Sequence, residues 1–190
     1  MAVEIEAKMA VDSFDAVRAR LRELGAAGPV AHFEVNTFFD TEDRALLAAD
    51  EGLRLRRDRD VATGAERHVI TFKGPRQLGP LKTREELELE VLGADAAVSL
   101  LERFGYHRTL SFEKRRESWE LDGCRVELDE LPHLGKFVEV EGPDEQSVLR
   151  VRARLGLGSR PIVKSGYIAL LMNYLQEHGK PTKDVRFAET

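Results

Sequence analysis

The residues best suited to chemistry stand near the start of the chain, in the segment Val3–Lys8. If this segment is a β-strand, Glu4, Glu6 and Lys8 share one face and the apolar residues share the other. Alternate strand residues are about 6.6 Å apart, so the three charges fall within roughly 13 Å. Paired carboxylates could bind Mg²⁺ or Mn²⁺, which prefer oxygen ligands. On a solvated sheet the same face would have no function. The interpretation therefore depends on whether later segments bring similar charged faces to the same place.

Later strand-like segments repeat this two-faced pattern, with Leu, Val or Ile on one face and charges on the other. The charged faces mix both signs. Their basic residues would suit a polyphosphate, because arginine offers a bidentate fork and lysine a point charge. The basic set is Lys8, Arg54, Arg56, Lys73, Arg84, Lys114 and Arg116, and the acidic set is Glu4, Glu6, Glu86, Glu88, Asp129, Glu139 and Glu141.

About eight strands are predicted to carry these residues, mostly antiparallel by the spacing of the hairpins, with helices between them. The helices are recognised by apolar residues at helical spacing and by their caps. Residues 1–180 are predicted to form one domain, and residues 181–190 a flexible C-terminal tail. The strands are predicted near 3–9, 30–40, 52–56, 68–73, 83–91, 106–119, 124–130 and 136–141, and the helices near 14–24, 94–104, 143–155 and 164–178.

Two arrangements fit this pattern. In an ordinary sandwich the apolar faces form the core and the charges meet water, and the pattern alone favours this arrangement. In a closed barrel the apolar face points outward beneath the helices, and the charged face points inward. The mixed signs and the frequent helices favour the barrel, because helices could cover an apolar outer surface.

Composition excludes several classes of function. The 190 residues carry a formal net charge of −5, which argues against a nucleic-acid-binding surface, since such domains are usually basic. The single cysteine, Cys124, rules out an intramolecular disulfide and fits a reducing cytosol. There is no leader-like or membrane-spanning segment. We therefore expect a soluble cytoplasmic protein, without nucleic-acid or membrane partners, that is a monomer or a homodimer.

The charged residues stand in motifs that, in this order, resemble the CYTH superfamily of triphosphate tunnel metalloenzymes. The likeness covers nearly the whole chain and is closest to the class IV adenylyl cyclase and thiamine triphosphatase-like branch. Three departures remove no ligand: Asn36 replaces an expected acidic residue, Glu42 an expected proline, and Gly166 separates an expected Ser-Tyr pair. The motifs are Glu4-x-Glu6-x-Lys8, Phe38-Phe39-Asp40-Thr41, Leu53-Arg54-Leu55-Arg56, Thr71-Phe72-Lys73-Gly74-Pro75, Arg84-Glu85-Glu86, Lys114-x-Arg116-x-x-Trp119, Leu128-Asp129-Glu130, Leu134-Gly135-x-Phe137-x-Glu139-x-Glu141 and Ser165-Gly166-Tyr167.

The resemblance implies an α+β fold, an eight-stranded antiparallel β-barrel with a charged interior and helices packed outside. Glu86 and Glu88 would tune the cations or bind a second metal, and Glu4, Glu6 and Lys8 would be catalytic. The other implied roles are a triphosphate grip by Lys8, Arg54, Arg56, Lys73, Arg84, Lys114 and Arg116, and binding of Mg²⁺ or Mn²⁺ by Glu4, Glu6, Asp129, Glu139 and Glu141.

Two reactions share this scaffold. In a hydrolase, water activated with help from Glu4 or Glu6 attacks the terminal phosphorus of inorganic triphosphate, thiamine triphosphate or a nucleoside triphosphate. In a class IV adenylyl cyclase, the 3′-hydroxyl of ATP attacks the α-phosphorus and pyrophosphate leaves. We favour the hydrolase, because cyclisation also needs a base and ribose pocket that the sequence does not identify. A non-catalytic polyphosphate or nucleotide sensor is a third alternative.

Other residues that could carry chemistry have simpler interpretations. Trp119 could stack on a base, but packing beneath a helix is the more ordinary role. Cys124 is expected to be a small buried hydrophobic residue, and the five histidines lack ligand spacing. Arg76 and Lys82 lie in or beside the Gly/Pro-rich loop and are expected to be solvated, although residues 75–83 could form a lid.

Overall fold

The computed structural model describes residues 2–180 and 182–188, and of Ala2 only the backbone. Strands and helices alternate along the described chain much as the sequence predicts. The strands are β1 (Ala2–Val11), β2 (Ala27–Asp40), β3 (Gly52–Asp60), β4 (Glu66–Lys73), β5 (Lys82–Val91), β6 (His107–Leu121), β7 (Cys124–Leu131), β8 (Gly135–Glu141) and β9 (Asp184–Val185). The helices are α1 (Asp15–Glu23), α2 (Ala45–Ala48), α3 (Ala94–Arg103), α4 (Glu145–Arg154) and α5 (Tyr167–Glu177).

The first eight strands close into an antiparallel barrel. Their spatial order is β2-β3-β4-β5-β1-β8-β7-β6, and the pairing of β2 with β6 closes the ring. Every pairing within this ring is antiparallel. Because the ring is closed, each of the eight strands is paired on both sides over at least part of its length. The barrel predicted by the resemblance is therefore confirmed, and the sandwich is not.

Local sequence explains how neighbouring elements are joined. Between β6 and β7 the chain turns at Asp122-Gly123, and both residues have positive φ (52° and 74°). Such turns match the twist of antiparallel strands and favour aspartate followed by glycine. Helix α4 begins after Asp144, whose Oδ1 accepts a hydrogen bond from the backbone N–H of Ser147 at 2.8 Å. This cap satisfies a backbone donor that the first turn would leave unpaired.

Strand register brings the charged faces to the inside of the barrel. On β1, Glu6 pairs with Glu141 of β8 and Lys8 pairs with Glu139, while Glu4 pairs with Arg84 of β5. Directly paired residues point to the same side of a sheet. The alternation seen in the opening segment therefore continues around the barrel.

The opposite face of the strands forms the main hydrophobic core beneath two helices. Val140 and Val138 of β8 are completely buried and pack in one cluster with Leu21 of α1 and Val148 and Val151 of α4. Burying an aliphatic side chain contributes about 1.5–3 kcal/mol. On another side of the barrel, Val98 and Leu101 of α3 cover Leu53 and Leu55 of β3.

One helix closes an end of the barrel instead of covering its side. Leu171 of α5 is completely buried against Phe112 and Phe137. By strand alternation these two phenylalanines share the inner face with Lys114 and Glu139. The interior is therefore charged along much of its length and apolar where α5 packs.

Three local features differ from or complete the sequence predictions. Within the segment predicted to be a flexible tail, Asp184–Val185 pairs in parallel with Ser111–Phe112 of β6, and Val185 is buried. Trp119 and Cys124 are both buried in the main hydrophobic core, so the packing interpretation is correct for each. Among the described residues, no helix is sufficiently long and apolar to cross a membrane.

Candidate active site

A cavity of about 240 Å³ lies inside the barrel. Nine basic and six acidic side chains line it, so its lining favours an anionic ligand. The basic residues are Lys8, Arg54, Arg56, Lys73, Lys82, Arg84, Lys114, Arg116 and Arg125, and the acidic residues are Glu4, Glu6, Glu86, Glu88, Glu139 and Glu141. Every cation that the sequence assigned to a triphosphate therefore reaches the same cavity.

Two arginines of β3, Arg54 and Arg56, use only part of their hydrogen-bonding capacity. Nη2 of Arg54 donates to Oγ1 of Thr71 at 3.1 Å, and Nη2 of Arg56 lies 3.4 Å from Oε1 of Glu88. The Nε atoms of both arginines are buried and have no hydrogen-bond partner in the described structure. Burial lowers the pKa of Arg54, and the nearby charge of Arg56 lowers it further. A bound anion would relieve this repulsion and fill the free donors.

Carboxylates of β1 and β8 form the acidic side of the cavity. Glu6 is 4% exposed and Glu139 is 8% exposed. Burial raises the pKa of Glu6, and the negative charge of Glu139 raises it further. Burial likewise raises the pKa of Glu141. These groups supply hard oxygen donors, so their chemistry fits Mg²⁺ or Mn²⁺.

Lysines hold these carboxylates in the structure. Lys82 Nζ lies 2.8 Å from Oε1 of Glu6 and 3.5 Å from Oε2 of Glu4, and Lys73 Nζ lies 3.3 Å from Glu4. Within the described parts of the chain, no group of three or more acidic, histidine or cysteine side chains is arranged to hold a metal ion. A metal at Glu6 would therefore have to displace the ammonium of Lys82.

The prediction that Lys82 is solvated is wrong. Its side chain is 8% exposed, because β5 begins at Lys82 and aims this residue into the barrel. Burial alone would lower its pKa, but attraction by Glu6 and Glu4 outweighs burial and raises the pKa. The sequence does contain a signal for this position, because Lys82 stands two residues before Arg84 and alternate residues of a strand share a face. Arg76, in contrast, is exposed and pairs with Asp50 at the surface, as expected.

Asp129 is near the cations but does not line the cavity. Its side chain is completely buried, and its two oxygens accept from Arg116 Nε and Nη2, each at 2.6 Å. Oδ2 also accepts from Lys114 Nζ at 3.4 Å and from the hydroxyl of Tyr167 at 3.0 Å. In this arrangement Asp129 orients two of the cations. Its predicted role as a metal ligand would require these bonds to break.

Two buried glutamates near the cations were missed by sequence reasoning. Glu34 of β2 is 1% exposed and lies 3.0 Å from Lys114 Nζ. Burial would raise the pKa of Glu34, but Lys114 and Arg116 hold it well below the usual value. Glu127 of β7 accepts from Ser118 Oγ at 2.6 Å and lies 3.7 Å from Arg116. Alternate residues of a strand share a face. Glu34 stands two residues before Asn36 on β2, and Glu127 two residues before Asp129 on β7, so strand alternation predicts the inner face for both glutamates.

The two remaining acidic residues of the prediction lie on the inner face of β5. Glu86 forms an ion pair with Lys73. The side chain of Glu88 is 41% exposed and pairs with Arg56. Both line the cavity, but each contacts a cation that we assign to phosphate binding. Their position fits the predicted tuning of the cations.

Comparisons with known proteins agree with the geometry. Residues 2–158 match the sequence model described as the CYTH domain. The chain is 24% identical over 177 residues to the protein named "Putative adenylate cyclase MJ0240" of Methanocaldococcus jannaschii, covering 88% of this chain and 98% of the relative. It is 27% identical over 180 residues to "Adenylate cyclase CyaB" of Aeromonas hydrophila, covering 88% and 87%. The solved structure of the PH1819 protein from Pyrococcus horikoshii superimposes with a TM-score of 0.76 and 26% identity, covering 90% of this chain and 99% of the other.

Proposed function

The chain belongs to the CYTH domain family, and we propose that it is a divalent-metal-dependent enzyme that hydrolyses a triphosphate inside the barrel. The observation that carries this proposal is the lining of the cavity, where nine basic side chains outnumber six acidic ones around about 240 Å³. Lys114 and Arg116 are neutralised by Glu34 and Asp129 behind the wall. The buried Nε donors of Arg54 and Arg56, in contrast, have no hydrogen-bond partner in the described structure, and a buried donor without a partner is costly. A triphosphate supplies that partner.

The basic wall would bind the phosphate chain. Arg54 and Arg56 offer Nε donors that have no partner among the described residues. Lys114 and Arg116 are held in place by Asp129. Fixed donors stabilise charge that develops in the transition state without reorganising during the reaction. Because phosphoryl transfer depends mainly on positioning and electrostatics, this wall would supply much of the rate enhancement.

The acidic wall would hold the metal through Glu4, Glu6, Glu139 and Glu141, which line the cavity. When bound, Mg²⁺ or Mn²⁺ would neutralise phosphate charge and polarise the phosphorus–oxygen bond under attack. Lys82 and Lys73 pair with Glu6 and Glu4 in the structure and also line the cavity, so their ammonium groups could pair with the phosphates once a metal holds the carboxylates. The metal and substrate would thus replace ion pairs that already exist.

Glu6 is also suited to accept a proton from the attacking water. Its carboxylate lines the cavity, so one of its oxygens could accept a proton from a water that attacks a bound phosphate. Lys8 Nζ lies 3.8 Å from Glu6 and 3.3 Å from Glu139, so it favours the ionised form of both carboxylates, the form in which Glu6 could accept a proton. Glu4, beside Lys82, is the second candidate for this role.

A class IV adenylyl cyclase is the alternative, favoured by the relative named adenylate cyclase that is 27% identical across 88% of this chain. The cyclase needs the same phosphate grip. The two reactions differ in which phosphorus lies against the acidic wall. In hydrolysis it is the terminal phosphorus, and in cyclisation it is the α-phosphorus with the ribose 3′-hydroxyl as nucleophile.

Product analysis separates the two reactions. The purified protein would be incubated with Mg²⁺ or Mn²⁺ and with inorganic triphosphate, thiamine triphosphate or ATP, and phosphate, pyrophosphate and cyclic AMP would be measured. We expect metal-dependent release of phosphate without cyclic AMP. Cyclic AMP with an equal amount of pyrophosphate would replace the hydrolase by the cyclase. The absence of every product would reject both.

A further inference from the structure

Tyr167 is the first residue of α5 and lines the barrel cavity beside two of its lysines. Lys8 Nζ lies 4.0 Å from the centroid of the Tyr167 ring, and Lys114 Nζ lies 5.8 Å from it. An ammonium within about 6 Å of an aromatic face is attracted by the electrons of the ring, most strongly where water is excluded. The ring of Tyr167 is therefore suited to hold Lys8 in place.

Lys8 is bonded to the segment that leads into α5. Its side chain is 1% exposed, and its Nζ donates to the carbonyl oxygen of Ser165 at 3.0 Å. The backbone N–H of Val163 donates in turn to the carbonyl oxygen of Lys8 at 2.8 Å. Ser165 and Glu139, at 3.3 Å, take two of the three N–H donors of the ammonium. The ring of Tyr167 adds a further attractive contact to this group.

The hydroxyl of Tyr167 acts on the basic wall through Asp129. It donates to Oδ2 of Asp129 at 3.0 Å, and the same oxygen accepts from Lys114 Nζ and Arg116 Nη2. Burial raises the pKa of the hydroxyl well above its usual value, and the negative charge of Asp129 raises it further, so the group stays protonated and donates. The hydroxyl therefore helps to hold the carboxylate that orients these two cations.

The ring of Tyr167 is itself fixed by its neighbours. It meets the ring of Phe137 edge-on, with the centroids 5.3 Å apart and the planes at 70°. One helical turn further along α5, Leu171 is completely buried against Phe137 and Phe112. A side chain that is locked by its own packing can hold other groups in a productive geometry. The place of the Tyr167 ring therefore follows from the packing of α5 against the barrel.

We propose that Tyr167 is a positioning residue for triphosphate binding, because its ring holds the ammonium of Lys8 and its hydroxyl holds Asp129, which orients Lys114 and Arg116. This inference rests on the proposed function, since it takes these three cations to be part of the phosphate-binding wall. One side chain of α5 thus sets the geometry of cations that stand on two different strands, β1 and β6.

Two substitutions separate the two contacts. Tyr167→Phe keeps the ring beside Lys8 and removes only the bond to Asp129, whereas Tyr167→Leu removes both contacts. Isothermal titration calorimetry would give the dissociation constant of inorganic triphosphate without added metal. We expect this constant to rise by about three- to tenfold in Tyr167→Phe, the usual value of one hydrogen bond. It should rise further in Tyr167→Leu, by about tenfold or more in total.

A double-mutant cycle shows whether the ring acts through Lys8. In a Lys8→Met background the ring has no ammonium to hold. The step from Tyr167→Phe to Tyr167→Leu should then change the dissociation constant by less than about twofold. A merely structural role predicts a different result, because disturbed packing of α5 would weaken binding by the same factor in both backgrounds. If circular dichroism shows that Lys8→Met is not folded, Lys8→Gln completes the same cycle.

Tyr174 provides the matched control on the same helix. It lies two turns further along α5 and does not line the barrel cavity. Its ring stacks on His133 and His178, with centroid distances of 5.0 and 4.0 Å. Tyr174→Phe and Tyr174→Leu should therefore keep the dissociation constant of the wild-type protein.

Two results would overturn the positioning role. One is unchanged affinity in both Tyr167→Phe and Tyr167→Leu, and the other is an equal effect of the step between them with and without Lys8. If the wild-type protein bound inorganic triphosphate but released no phosphate in the product analysis, the proposed function would fall and the cycle would still decide the role of Tyr167. If it bound no triphosphate, both would fall together.

Discussion

Lys82 Nζ lies 2.8 Å from Oε1 of Glu6 inside the barrel, and the two side chains are 8% and 5% exposed. An ammonium thus occupies the immediate surroundings of a carboxylate that we propose as a metal ligand. A divalent metal ion bound to Glu6 would lie close to the Lys82 ammonium, and the two positive charges would repel each other strongly in a site shielded from water. Lys82 and a divalent metal therefore compete for Glu6.

Removing Lys82 should strengthen metal binding in the absence of substrate. Because the competing ammonium is gone, the dissociation constant of Mn²⁺ should fall by about tenfold in Lys82→Ala. Calorimetry on the folded variant would measure it. Arg115→Ala is the matched control, because Arg115 carries the same charge but pairs with Glu130 outside the barrel. Unchanged or weaker Mn²⁺ binding in Lys82→Ala would contradict the competition.

Neutralising Glu6 should stop turnover. Glu6→Gln keeps the shape of the side chain but removes a negative charge that we assign to metal binding and proton transfer. We expect the rate of phosphate release to fall by about 100-fold or more, with the circular dichroism spectrum unchanged. Glu85→Gln, which faces away from the cavity on β5, should retain the wild-type rate. Full metal-dependent activity of Glu6→Gln would show that the acidic wall is wrongly assigned.

Adjacent arginines on β3 provide a sharp test of the basic wall. Arg56 lines the cavity, whereas Arg57 points outward and pairs with Asp95. Loss of a charge-assisted hydrogen bond should weaken inorganic triphosphate binding by about 10- to 100-fold in Arg56→Ala. Arg57→Ala should bind as the wild type does. Equal dissociation constants for the two variants would argue against phosphate binding by this strand.

Substitution of Asp129 tests whether this residue orients Arg116 and Lys114 or binds the metal ion. In the structure its oxygens are fully used by Arg116, Lys114 and Tyr167. Asp129→Asn should lower the free energy of unfolding by about 3 kcal/mol, because buried cations lose their counter-charge. Chemical denaturation would measure this, with Glu130→Gln as the outward-facing control. Wild-type stability combined with lost Mn²⁺ binding would instead support the ligand role predicted from the sequence.

Alternating residues make much of the fold and the site predictable. Glu4, Glu6 and Lys8 are predicted to share one face of β1, because side chains on a strand alternate strictly. The pattern alone does not predict that this face points into a barrel, because charged strand faces more often meet solvent. The short strand β9 could not be foreseen, because it depends on where the chain returns to β6. The sequence predicts the start of β5 at residue 83, one residue late, and so leaves Lys82 in or beside the loop. The ends of a strand depend on its pairing partners, which the sequence alone does not reveal. One of the hydrogen bonds that Asp129 accepts comes from Tyr167, which is 38 residues away in the chain. The sequence does not reveal a contact between residues so far apart.

The position of bound triphosphate tests the central claim most directly. Crystals grown with inorganic triphosphate and Mn²⁺ would show the phosphorus atoms by their density and the metal by its anomalous scattering. We predict phosphates between Arg54, Arg56 and Arg116, and Mn²⁺ within bonding distance of Glu6. Triphosphate bound only on the outer surface, with the ion pair between Lys82 and Glu6 intact, would contradict the account.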